Sequence, residues 1–303
     1  MIDAFCHTMP RPYYDRFFAL ETTPAAANIR RRVSRIPSLV DLDVRFRQMD
    51  EFGDYRQVIN ICAPPVEDLG SPEISTELAR VGNEALAELV ARYPDRFAGF
   101  MACVPMDEER FEPFYRKMAE LDRLIQVHPC RSAEWPDYPT ERRSKYEIWW
   151  VFGWEYDLSA FMSRIVFGGV LERYPELKFL IHHGGSMVPH FAGRVGPGWD
   201  QLGERTPDDQ RDLVEGYPLS RRPLDYFRMF YADTALFGAA HAVRCAIDFF
   251  GADHVLFGSD SPFDPEKGPG YIRATIANLN EIGLSDTERG TIFHGNARRL
   301  LEL

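Results

Sequence analysis

The chain has 303 residues, 45% of them hydrophobic, and a formal net charge of -11. That length and apolar content suit one large α/β domain. The acidic balance, with basic clusters as short as Arg30-Arg31-Arg32 and Arg142-Arg143, argues against nucleic acid or an anionic membrane as partner.

A carboxylate substrate stays compatible with this charge, because a few arginines inside a cleft outweigh remote charges that salt screens over roughly 8–10 Å. The five cysteines, Cys6, Cys62, Cys103, Cys130 and Cys245, are odd in number and form no CxxC pair. This excludes a disulfide scaffold and a structural zinc site as expectations, and a reducing, cytoplasmic compartment fits best.

Met1 leads straight into a strand-like run with no basic and apolar leader, and no later segment reaches about 18 apolar residues, so neither export nor membrane insertion is expected. In chain order, short apolar runs at 2–6, 57–62, 97–104, 124–127, 179–181, 229–231 and 255–257 read as strands. Longer amphipathic stretches at 73–92, 110–121, 148–173 and 239–250 read as helices. Ser71-Pro72-Glu73 opens the first of these with a cap residue, a proline in the first turn and an acid near the positive end of the dipole. Such alternation predicts βαβ units and a parallel sheet. We expect a single (β/α)8 TIM-barrel-like domain over 1–303, with a weak eighth strand near 291–293. Segments 130–144 and 196–222, rich in proline, glycine and charge, are expected to be active-site or interface loops.

Four polar residues share one placement: His7, His128, His183 and Asp260 each stand just past an apolar run. Strand ends converge on one face of an α/β barrel, and histidines with a carboxylate are ligand types for Zn²⁺ or a similar ion. One such histidine alone would read as a hydrogen-bonded strand end; the convergence of four carries the functional reading.

Ile2-Asp3-Ala4-Phe5-Cys6-His7 resembles the Ile-Asp-x-His-x-His opening of the amidohydrolase-related family that includes aminocarboxymuconate semialdehyde, resorcylate, salicylate and carboxyvanillate decarboxylases. The similarity continues along the chain. It runs through Asp43-Val44-Arg45-Phe46-Arg47-Gln48-Met49-Asp50, Val127-His128-Pro129 and His182-His183-Gly184-Gly185-Ser186, and on through Gly258-Ser259-Asp260-Ser261-Pro262-Phe263 and Gly295-Asn296-Ala297. The resemblance implies His7, His128 and Asp260 as metal ligands, His183 with Asp260 as the catalytic groups, and Arg45 as the binder of a substrate carboxylate. It also implies a divalent metal, zinc first and manganese second, and a homodimer.

One family ligand is missing. Phe5 stands where the family has His or Glu and offers no lone pair, so Phe5 is expected to contact substrate instead, and the metal to be held more weakly by the three remaining ligands, with a metal-free barrel as the alternative. Cys6 does not substitute, because strand neighbours point to opposite faces. His182 is expected to point away from the site into the strand–helix layer. Tyr146, Trp149, Trp150 and Trp154 are expected to pack in the core, with a substrate wall as the alternative.

The resemblance thus implies a metal-dependent, non-oxidative decarboxylase, a C–C lyase acting on an aromatic or unsaturated carboxylic acid. Two alternatives stay open from the sequence. One is a hydrolase or hydratase on the same barrel, with or without metal; the other is a catalytically dead barrel used for binding.

Overall fold

The computed structural model describes residues 1–20, 24–62, 64–101 and 109–303. Among them are seven strands: β1 (Ile2–Thr8), β2 (Arg56–Ile61), β3 (Phe97–Met101), β4 (Leu124–Val127), β5 (Lys178–Ile181), β6 (Tyr231–Asp233) and β7 (Val255–Leu256). All pair in parallel, in the order β1-β2-β3 and β4-β5-β6-β7.

Closure comes from the two ends of the chain. Ala4 N donates to Phe257 O at 2.8 Å, Asp260 N to Phe5 O at 3.1 Å, and His7 N to Ser261 O at 2.8 Å, which seats β1 beside the segment after β7. Across the middle, Asn60 Nδ2 donates to Gln126 Oε1 at 2.7 Å, and Gln126 Nε2 donates to Ala4 O at 2.6 Å.

The inside of the barrel is packed by Ile2, Ala4, Phe5, Val58, Leu180 and Leu256, each nearly or wholly buried. Alternate residues face outward: Phe179 and Ile181 flank the inward Leu180 and meet Leu158, Met162 and Ile165 of the covering helix Gly153–Phe167. Each such side chain contributes about 1.5–3 kcal/mol on burial.

Strand β1 breaks the alternation once. Its register against β2 runs Asp3 to Gln57 and then Cys6 to Ile59, so β1 holds one extra residue, a β-bulge. The bulge lets Ala4 and Phe5 both join the interior. Asp3 anchors it, accepting from Phe5 N at 3.2 Å, Tyr55 Oη at 2.6 Å and Ser259 N at 3.1 Å. Cys6 turns outward to within 3.8 Å of Tyr55 Oη, as alternation requires.

Four expectations change. The eighth strand near 291–293 is a π-helical turn, Thr291–Gly295, whose Ile292 O accepts from Phe257 N at 2.9 Å in place of a ladder. The single helix over 148–173 is three, Ile148–Val151, Gly153–Phe167 and Val170–Arg173. Gly169, at φ +69°, breaks the last two apart where an added Cβ would lie 2.2 Å from Tyr217. The sixth strand begins where it was expected to end. The third ends at Met101; residues 102–104, with Cys103, lie outside the described residues.

Candidate metal centre and active site

The C-terminal ends of β1, β4, β5 and β7 bring His7, His128, His182, His183 and Asp260 together. The ligand-type atoms of His7, His128 and His182 all lie within 4.8 Å of one another, and so do those of His182, His183 and Asp260. His7 Nε2 is 2.9 Å from Asp260 Oδ1, and His182 Nε2 is 3.3 Å from the same oxygen.

Backbone geometry at two of these positions departs from the strand. Asp260 has φ 63° and His183 φ 54°, both left-handed. Asp tolerates that conformation better than most residues, and the turn at Asp260 is held by Asp260 N on Phe5 O. At His183, left-handed Gly184 and Gly185 continue the turn; an added Cβ at Gly185 would meet the Phe250 ring at 2.4 Å.

This turn explains why both histidines reach the site. Leu180 faces inward, so His182, two residues on, faces inward too, and the expectation that it points into the strand–helix layer is corrected. The left-handed turn then swings His183 alongside, with ring centroids 3.7 Å apart. His183 Nδ1 donates to Ala235 O at 2.9 Å, leaving Nε2 as the nitrogen with a lone pair. His128 Nδ1 likewise donates to Pro129 O at 2.6 Å.

His182 Nδ1 donates to Asp233 Oδ2, while Asp233 Oδ1 accepts from Gly184 N at 3.2 Å and Ala235 N at 3.0 Å. Asp233 is fully buried and fixes both the imidazole and the turn that carries it. The expected sixth strand stopped two residues short of Asp233. Yet Asp233 meets the criterion that selected the other residues, a polar group at the end of an apolar run.

The electrostatics follow from burying two carboxylates among imidazoles. Burial opposes charge on His182, but Asp233, and after it Asp260, pushes it up to about 9. Burial would raise Asp260; the hydrogen bond from His182 and the close approach of His7 outweigh that and hold it far below the usual carboxylate range. Burial lowers His7, opposed in part by Asp260. Burial also carries His128 well below its ordinary value, helped by His7 and His182. The two carboxylates thus draw a cation, and low-pKa imidazoles stay neutral as ligands require.

The donors fit a divalent ion. Imidazoles with a carboxylate suit Zn²⁺ and Mn²⁺. Both ring nitrogens of His7 are buried without a hydrogen bond of acceptable geometry, although Nε2 approaches Asp260 closely. An imidazole nitrogen and a carboxylate oxygen so close together suit a shared cation.

A cavity of about 810 Å³ opens over His7, His128 and Asp260. One wall is aromatic, with Trp149, Trp150, Trp154, Phe237 and Tyr271, and the rim carries Arg31, Arg32, Arg35 and Lys267. The tryptophans are therefore wall and not core; Trp154 sits edge-on to His128 with centroids 5.4 Å apart. Ser144 brings the expected 130–144 loop to the cavity, whereas the described lining includes no residue of 196–222.

Two expected substrate contacts lie elsewhere. Arg45 is buried behind the site, where Nε donates to Gln57 Oε1 at 2.8 Å and Nη1 to His7 O at 2.8 Å and Ser38 O at 3.2 Å. It braces the β1 end and does not line the cavity. Phe5 is also absent from the lining; its ring stacks on His182 with centroids 3.6 Å apart. The cations that do face the cavity include Arg31 and Arg32, a cluster visible in the sequence but too short to stand out there.

A family model described as Amidohydrolase matches residues 60–303. The chain belongs to the amidohydrolase family. Among its relatives, this amidohydrolase is 27% identical to the gamma-resorcylate decarboxylase of Polaromonas sp., over 88% of this chain and 89% of that protein. Its fold is that of the 5-carboxyvanillate decarboxylase from Sphingomonas paucimobilis, with a TM-score of 0.81 at 20% identity over 100% of this chain and 99% of the other. A dihydroxybenzoic acid decarboxylase from Polaromonas sp. JS666, solved with bound manganese and 2-nitroresorcinol, superimposes with a TM-score of 0.76 at 24% identity over 100% and 96% of the two chains. The expected family and barrel class are borne out.

Proposed function

We propose that this amidohydrolase is a divalent-metal-dependent, non-oxidative decarboxylase acting on an aromatic or unsaturated carboxylic acid. The observation that carries the reading is the convergence of His7, His128 and Asp260 in the lining of an aromatic-walled cavity, with the His7 nitrogens left without hydrogen bonds among the described residues. Decarboxylases among its relatives support the reaction type.

His7 and His128 from one cluster and Asp260 from the other, 2.9 Å from His7, would hold the ion, zinc being the first candidate and manganese, bound in a similar structure, the second. When bound there, it supplies a positive centre that draws electron density toward a substrate oxygen. Trp149, Trp150 and Trp154 stack against a flat substrate and exclude water from its faces. Arg31, Arg35 and Lys267 take a substrate acid group at the rim, the role that the resemblance implies for Arg45. His183, its ring fixed by the Nδ1 bond to Ala235, takes up a proton on the Nε2 lone pair and carries it as the imidazolium. As the C–C bond breaks, its electron pair stays on the substrate carbon, carbon dioxide leaves, and the proton from His183 forms the new C–H bond.

The test incubates the metal-loaded enzyme with hydroxybenzoates and unsaturated diacids in deuterated water. Carbon dioxide release with one deuterium at the vacated carbon is expected. Hydration or hydrolysis products without carbon dioxide would replace this reading by the hydratase or hydrolase one.

We also carry forward a cytoplasmic homodimer. Among the described residues Cys6 and Cys245 are free thiols, as a reducing compartment requires. Tyr146, Phe152 and Tyr156 expose 89%, 63% and 59% of their surface near the cavity mouth, area that a second copy would cover. Light scattering on the purified chain tests the dimer. Among the described residues, no helix is long and apolar enough to cross a membrane.

A further inference from the structure

We infer that His182 is a fourth protein ligand of the metal, supplied from β5 in place of the one that Phe5 removes from β1. The inference rests on the metal-dependent reading above and concerns this chain's own way of completing the site.

Three independent features place His182 there. First, its ligand atom is the one shared by both clusters, within 4.8 Å of those of His7 and His128 in one and of His183 and Asp260 in the other. Second, the spacing suits coordination. Metal–nitrogen distances of about 2.0–2.1 Å set neighbouring tetrahedral ligand atoms roughly 3.3 Å apart, and His182 Nε2 lies 3.3 Å from Asp260 Oδ1.

Third, the other ring nitrogen is already committed. Nδ1 donates to the buried Asp233, so Nε2 carries the lone pair whenever a metal takes the proton's place, and the ring cannot rotate away. A carboxylate behind a ligating histidine is the usual device for fixing its tautomer and orientation. Asp233 is thus a positioning residue for His182.

Phe5 has a defined part in this arrangement. A His or Glu at position 5 would reach the ion from β1; the phenyl ring instead lies flat on the His182 imidazole, 10° from parallel, and sets its plane. The site keeps four protein ligands, His7, His128, His182 and Asp260, with the donor moved from one strand end to another. His183 then stays free of the ion.

Calorimetric titration of Zn²⁺ and of Mn²⁺ into chelator-treated full-length protein tests the assignment without reference to turnover. Wild type is expected to take one ion per chain. His182→Ala and His182→Asn should each lose roughly 100-fold or more in affinity, and Asp233→Asn about 10- to 100-fold. Phe5→His should recover at least tenfold in the His182→Ala background and gain far less in the wild-type background, where four ligands are already present, a dependence that a merely structural role for His182 does not give.

His182→Asn retains a donor to Asp233, which guards against loss of the fold, and thermal melts of both variants check it. Cobalt-loaded wild type offers a readout that needs no variant: three hyperfine-shifted imidazole N–H signals with His182 bound, two if it stays out. His182 variants with wild-type affinity, or only two such signals, overturn the fourth ligand and leave the three-residue metal site intact. Wild type that takes up neither ion overturns that metal site itself, and this inference with it.

Discussion

The Phe5 ring lies face to face on the His182 imidazole, with centroids 3.6 Å apart, and His183 stacks on the same imidazole at 3.7 Å. His182 is therefore held between a hydrocarbon ring and a second imidazole while its two nitrogens address two carboxylates, Asp233 and Asp260. A substitution that removes a ligand from β1 also supplies the surface on which another side chain is aligned.

Removal of the metal should abolish turnover. After dialysis against a strong chelator, carbon dioxide release should fall to background and return on adding one equivalent of Zn²⁺ or Mn²⁺. Full activity in protein shown by elemental analysis to be metal-free would transfer catalysis to His183 and its neighbours.

His183→Ala should keep its metal and lose roughly two to four orders of magnitude in kcat, the range for a removed acid or base. Elemental analysis beside steady-state kinetics separates that outcome from loss of the ion. Near-normal turnover would reject the proton-transfer role.

Arg45→Ala should act on stability, not on substrate affinity. It strips donors from Gln57 Oε1, His7 O and Ser38 O in a buried setting, a loss of about 2–4 kcal/mol. Chemical denaturation should show the shift, with KM unchanged for the folded enzyme. A raised KM at wild-type stability would return Arg45 to the substrate.

The double variant Arg31→Ala/Arg35→Ala should raise KM by about tenfold and leave kcat nearly unchanged, the pattern of lost uniform binding. The wild-type KM should also climb with ionic strength, because both side chains are exposed at the rim. Insensitivity of KM to both the variant and salt would remove these cations from recognition.

Much of the barrel was readable because strand and helix periods differ and the apolar runs are short and well separated. His7, His128, His183 and Asp260 were found by one topological rule, and the structure brings them to one place. His182 was missed by an error of phase. The inward position at Leu180 fixes the parity of β5, and no local signal shows that a left-handed His183 brings two consecutive residues to the same cluster. Arg45 was misplaced for a different reason: a short helix, Leu42–Asp50, gives no indication in sequence of which side chain passes behind a strand and which reaches its end. The eighth strand was expected from the fold count, whereas the chain fills that place with a helical turn that offers Phe257 one carbonyl.

The seam between β1 and the segment after β7 ties Asp3 to Ser259, 256 residues later. His7 leaves the ribosome long before Asp260 is synthesised, and the nascent chain carries an incomplete cluster throughout that interval. Assembly of the centre and closure of the barrel are then a single late event, slowed by the length of chain that must be brought round. Any N-terminal fragment ending before that seam holds histidines without their carboxylate. On the proposed metal site, such a fragment should bind no ion tightly, and chemistry should begin only once the last strand is in place.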